Sequence, residues 1–72
     1  MQGRITGEQI RPVDHNNVLA CRIADSTGDL TAVFYGRPPG LELGSRIRLR
    51  GVTSVGSDGR RTMINPCYEL LP

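Results

Sequence analysis

Nine arginines, no lysine, one histidine and three aromatic rings are what this 72-residue chain has for surface chemistry. Arginine presents a planar fork of donors that fits phosphate oxygens and stacks on flat rings, so its exclusive use is compatible with a polyanionic ligand. A biased genomic base composition would leave the same mark. Placement says more than the net charge of +2. Arg22, Arg46, Arg48 and Arg50 fall in stretches that read as strands, whereas Asp14, Asp25, Asp29, Glu42 and Asp58 fall in turns. The sheet surface is therefore expected to be more basic than the total. His15 has no second histidine near it, which argues against a metal site, and no Ser or Cys stands beside a base with a third group to orient it. Catalysis is not expected, and neither is a cofactor.

The elements that must position these residues centre on residues 18–35. Two runs rich in β-branched and aromatic residues flank Asp25-Ser26-Thr27-Gly28-Asp29, a cluster of turn formers, which predicts a hairpin. Alternation puts Leu19, Cys21, Ile23, Leu30, Ala32 and Phe34 on a core face. It puts Val18, Ala20, Arg22 and Ala24, with Thr31, Val33 and Tyr35, on the opposite face.

Residues 3–10 alternate weakly and read as a first strand, with Gly7 supplying a bend or bulge. Residues 11–17, with Pro12, Asp14, Asn16 and Asn17, read as a loop. Pro38-Pro39-Gly40 excludes a regular helix from the start of the link at 36–44, although Leu41 and Leu43 can tuck one short turn beneath the sheet. Residues 45–55 read as one strand, with Ile47, Leu49, Gly51, Thr53 and Val55 on one face and Arg46, Arg48, Arg50 and Val52 on the other. A turn at 56–59 leads to a last strand at 60–64, ended by Asn65-Pro66. Residues 67–71 are expected to pack Tyr68, Leu70 and Leu71 against the barrel end. The result is an all-β, five-stranded Greek-key barrel of the oligonucleotide/oligosaccharide-binding (OB) type, with a short link in place of the helix between strands three and four. Residues 1–72 read as one domain of that kind. No apolar run reaches membrane-span length, no signal peptide precedes Gly3, and two cysteines make no disulfide framework, so a cytoplasmic, reduced setting is expected.

Particular residues also carry a resemblance. Asp25-Ser26-Thr27-Gly28-Asp29-Leu30, Val33-Phe34-Tyr35, Leu43-Gly44-Ser45-Arg46, Gly51 and Asn65-Pro66-Cys67-Tyr68-Glu69-Leu70 together resemble the pattern of the wedge domain of RecG-type DNA helicases. They resemble still more the small stand-alone OB-fold proteins of actinobacteria, whose Gly-Arg-rich link is similar to Gly36-Arg37-Pro38-Pro39-Gly40-Leu41. The resemblance covers residues 3–71. It implies single-stranded or branched nucleic acid as the ligand class, with aromatic residues near the end of the third strand, here Phe34 and Tyr35, stacking on bases. The helical insertions and basic arms of the helicase wedge are absent, and so is a motor.

The candidate nucleic-acid contacts are Arg22, Thr31, Val33 and Tyr35 on the outward face, Arg37 in the link, Arg60 and Arg61 after the last turn, and Arg11 and His15 in the first loop. Tyr35 is the expected stacking residue, and Phe34 is expected in the core. The arginine stripe 46/48/50 has three competing explanations: a phosphate track, a charged strand that resists edge pairing, or a docking surface for an acidic partner. The expected function is binding of single-stranded DNA or RNA with little sequence preference. The alternative is a protein-interaction or homodimerising barrel that uses the arginine stripe or a Val18/Ala20/Val33 patch, because fold does not fix function.

Overall fold

The computed structural model describes residues 1–13, 16–36 and 38–72. Asp14, His15 and Arg37 lie outside the described residues, two of them candidate contacts. Seven strands form: β1 (Gln2–Val13), β2 (Asn16–Asp25), β3 (Gly28–Tyr35), β4 (Arg46–Arg50), β5 (Thr53–Val55), β6 (Arg61–Ile64) and β7 (Cys67–Leu70). They make one sheet in the order β5-β6-β3-β2-β1-β4-β7, with β3 and β6 parallel and every other pair antiparallel. No helix forms among the described residues, so none is long and apolar enough to cross a membrane.

Connectivity forces the sheet to curl. β5 and β4 stand five positions apart in the order, about 24 Å in a flat sheet. Only Gly51 and Val52 separate them in the chain, a link that reaches about 11 Å at most. The two ends must therefore come round toward each other, giving a half-barrel with one concave side. Into that side go Ile5, Cys21, Ile23, Leu30, Ala32, Phe34, Ile47, Leu49 and Met63, all buried, with Leu41 of the link closing over them.

The central hairpin forms in the expected phase. Its two-residue loop, Ser26-Thr27, is held by the Asp25 carboxylate, whose Oδ1 accepts from the Thr27 amide (2.7 Å), the Thr27 hydroxyl (2.7 Å) and the Gly28 amide (3.1 Å). These donors favour the charged form and hold the Asp25 carboxyl below its ordinary pKa. Gly28 takes φ 148°, where a side chain would be strained, and there the strand reverses. The bulge falls where Gly7 predicts it, as the β1–β2 register shifts between Ile5 and Gly7.

Four expectations need correction. The predicted loop at 11–17 is largely strand, because β1 runs on to Val13 and β2 begins at Asn16, with Pro12 opposite Asn17. Proline is tolerated because this part of β1 lies beyond β4, which pairs only with residues 2–4, so its N–H side has no partner to satisfy. The predicted strand at 45–55 breaks at Gly51-Val52, and Val55 is 67% exposed because β5 is a three-residue edge strand beyond the core. Residues 67–70 form a strand on the free side of β4, which leaves Leu70 largely exposed while Tyr68 packs edge-on against Phe34 (centroids 5.5 Å apart). Consequently β4 is not an edge, and its arginines cannot be explained as protection of one. In the link, Leu41 is buried but Leu43 is exposed, and the Tyr68 hydroxyl donates to the Pro39 carbonyl (3.0 Å).

Cys21 is fully buried, and burial followed by the Glu8 charge pushes its thiol up to about 11. The folded state thus keeps a proton that the unfolded chain releases at lower pH. Stability is complete below about pH 9 and falls as pH rises toward 11, by on the order of 2 kcal/mol. Urea unfolding between pH 7.5 and 11 should show this loss in the wild type and a shallower one in Cys21→Ala. Parallel curves would remove the burial account.

Candidate nucleic-acid interface

The outer surface of the curled sheet is laid out by register. Arg22 sits opposite Gly7 on β1 and Thr31 on β3, and Thr31 is opposite Thr62 on β6. The next outward row runs Gln9, Ala20, Val33, Ile64, and the row beyond it Arg11, Val18, Tyr35. Arg22 and Tyr35 therefore project from one face, with about 13 Å of strand between Thr31 and Tyr35.

Two recesses meet on this face. One, of about 170 Å³, is lined by Gly7, Glu8, Gln9, Arg11, Ala20, Arg22 and Thr31. The other, of about 310 Å³, shares Arg22 and Thr31 and continues to Asp29, Asp58, Arg60 and Arg61. Together they make a groove across β1, β2 and β3 to the β5–β6 turn. Gly7 helps to create it. A Cβ added there would meet only the Arg22 Cβ, at 3.7 Å, so the glycine keeps the floor beside Arg22 clear.

The candidate residues differ in how free they are. Arg22 is exposed; its backbone carbonyl accepts from the Thr6 hydroxyl (3.4 Å), but its guanidinium makes no hydrogen bond or ion pair with any described residue. Tyr35 is 61% exposed and is followed by Gly36, where an added Cβ would meet nothing within 4 Å. Thr31 and Val33 are half-buried between them. Arg60 lies 3.6 Å from the Asp58 carboxylate, an exposed pair of little energetic weight. Arg61 is more committed, because its guanidinium donates to the Asp29 carbonyl (3.0 Å) and ties β6 to the hairpin turn. Arg11 donates from Nε to Gln9 Oε1 (3.2 Å) at the other end of the groove. Phe34 is 1% exposed, so of the two adjacent aromatics only Tyr35 can meet a ligand.

The Val18/Ala20/Val33 patch is not an open apolar surface. Val18 and Ala20, on the row that register assigns outward, are each only 4% exposed. Gly7, Gln9, Thr62 and Ile64 join the face unannounced. Thr62 and Ile64 were legible from their alternation with Met63, whereas Gly7 and Gln9 depend on the bulge that resets β1's phase.

No His/Cys/Asp/Glu group suited to a metal ion occurs among the described residues. What the arrangement offers is four guanidiniums interspersed with the Glu8, Asp29 and Asp58 carboxylates along a shallow channel, a floor of small side chains and an exposed phenol ring on the same face. Chemically, such a set of groups is suited to charge neutralisation and stacking. Compared with known protein families, curated proteins and solved structures, the chain matches none.

Proposed function

We propose that this chain is a stand-alone OB-type barrel, akin to those of actinobacteria and to the helicase wedge, that binds single-stranded nucleic acid without catalysis. Supporting the fold reading, β4 and β5 taken as one strand bent at Gly51 give the circuit β1-β2-β3-β6-β5/β4-β1, with its parallel pair between β3 and β6. The observation that carries the functional reading is the shared face of Arg22, whose guanidinium no described residue engages, and Tyr35, exposed on the same face about 13 Å along β3 from Thr31. Arginine neutralises phosphates along the channel while Tyr35 stacks on a base, an arrangement with little means of reading sequence.

The test is fluorescence anisotropy of labelled single-stranded DNA, single-stranded RNA and duplex across a salt series. Single strands should bind with an affinity that falls steeply with salt, and duplex more weakly. Arg22→Ala should flatten the slope of log K against log salt by about 0.7, the contribution of one phosphate contact on a single strand. No binding of either single strand at tens of micromolar protein in low salt, together with a dimer in solution, would overturn the proposal in favour of a protein-interaction barrel.

A further inference from the structure

The arginines outside the groove form a second set with its own geometry. Arg46, Arg48 and Arg50 alternate on β4 with the buried Ile47 and Leu49, so all three guanidiniums leave the same outer face, at intervals of about 6.7 Å along the strand. Arg4 on β1 is in register with Arg46 on one side and with Ala24 of β2 on the other. Ala24 is two residues along β2 from Arg22 and on the same face. The outer surface therefore carries an unbroken series, Arg22, then Arg4 across Ala24, then Arg46, Arg48 and Arg50, that leaves the groove, crosses β1 and turns along β4.

This series is poorly neutralised. Within 4 Å it meets one described side-chain carboxylate, Glu69, at 3.4 Å from Arg48 in a pair exposed on both sides. Arg4 donates to the Gly44 carbonyl (3.1 Å) and Arg46 to an oxygen of Pro72, the last residue of the sequence (3.0 Å), bonds that fix each side chain while leaving other donors of its fork free. The Arg50 guanidinium has no described partner and borders a recess with Arg48, Cys67, Tyr68 and Glu69. Because β7 covers the free side of β4, edge protection does not account for the charge.

We propose that the strand bound in the groove continues over β1 at Arg4 and along the outer face of β4, where Arg46, Arg48 and Arg50 take successive phosphates. This extended site rests on the single-strand reading of the groove. Its regular, one-dimensional spacing fits a repeating backbone better than the irregular carboxylates of an acidic protein, and arginine's fork grips phosphate through two donors.

A length series of oligothymidylates tests it, with the wild type, the triple variant Arg46→Gln/Arg48→Gln/Arg50→Gln, and the triple arginine-to-lysine variant. Thermal melts check that each is folded. For the wild type, affinity should climb beyond the length that fills the groove. The glutamine variant should match wild type on the shortest bound oligonucleotide but stop climbing, and its salt slope on long ones should be flatter by about 2, three contacts at about 0.7 each. The lysine variant should restore most of that slope. Equal binding of long oligonucleotides by wild type and glutamine variant would overturn the extension and leave the groove intact, whereas failure of the wild type to bind any length would overturn both. Salt-sensitive binding of polyglutamate that the glutamine variant loses, with long-oligonucleotide binding unchanged, would overturn the phosphate track in favour of an acidic partner.

Discussion

Phe34→Ala should remove most of the protein's stability. The ring is 1% exposed, sits among the core residues from five strands and meets Tyr68 edge-on at 5.5 Å. Truncating a buried phenylalanine costs about 3–5 kcal/mol, as lost transfer energy plus the cavity left behind. Marginal stability of about 0.05–0.15 kcal/mol per residue gives a 72-residue chain about 4–11 kcal/mol in all, so the variant lies near or past its unfolding threshold. Urea denaturation with Phe34→Leu as the milder comparison measures this. A loss below about 1 kcal/mol would show that the core can collapse around the gap, and the packing account would fail.

Tyr35→Ala, one residue along, should do nearly the opposite. With the ring 61% exposed, its removal should change stability by no more than about 0.5 kcal/mol. Single-strand affinity should drop about 5- to 150-fold, the equivalent of about 1–3 kcal/mol for one stacked base. Tyr35→Phe keeps the stacking surface and should retain most of the binding. The salt slope should stay the same, since no phosphate contact is lost, which separates this variant from Arg22→Ala. Unchanged affinity in Tyr35→Ala would remove stacking from the mechanism and leave only charge.

The opposite placement of these two neighbours, one buried and one exposed, was legible in the sequence. Strand alternation over residues 28–35 leaves no choice once Leu30 and Ala32 are assigned inward, and the turn chemistry at Asp25 and Gly28 fixes where the hairpin reverses. Gly7 likewise announced its bulge. What local pattern could not reveal was how far the β1–β2 hairpin extends past the core. Pro12 and the asparagines at 16 and 17 look like loop residues, and only pairing with each other makes them strand. The break at Gly51-Val52 was hidden for a related reason. Alternation continues smoothly through it, whereas the curl of the sheet demands a change of direction there. Residues 67–70 were legible as apolar packing but not as a strand, because nothing local specifies β4 as their partner. The arginine series shows the same limit: 46, 48 and 50 stand out in the sequence, but their connection to the groove through Arg4 exists only in the register of β1 with two neighbours.

The parallel ladder between β3 and β6 spans three residue pairs, against nine between β1 and β2. A sheet attached so briefly at one point should open there at lower free energy than along its antiparallel body, and amide exchange would report that as faster loss of protection over residues 53–64 than over 18–35. Arg60 and Arg61 ride on this arm, so under the proposed function such an opening, once it breaks the Arg61–Asp29 bond, would move one bank of the channel aside and let a strand enter laterally without a free end.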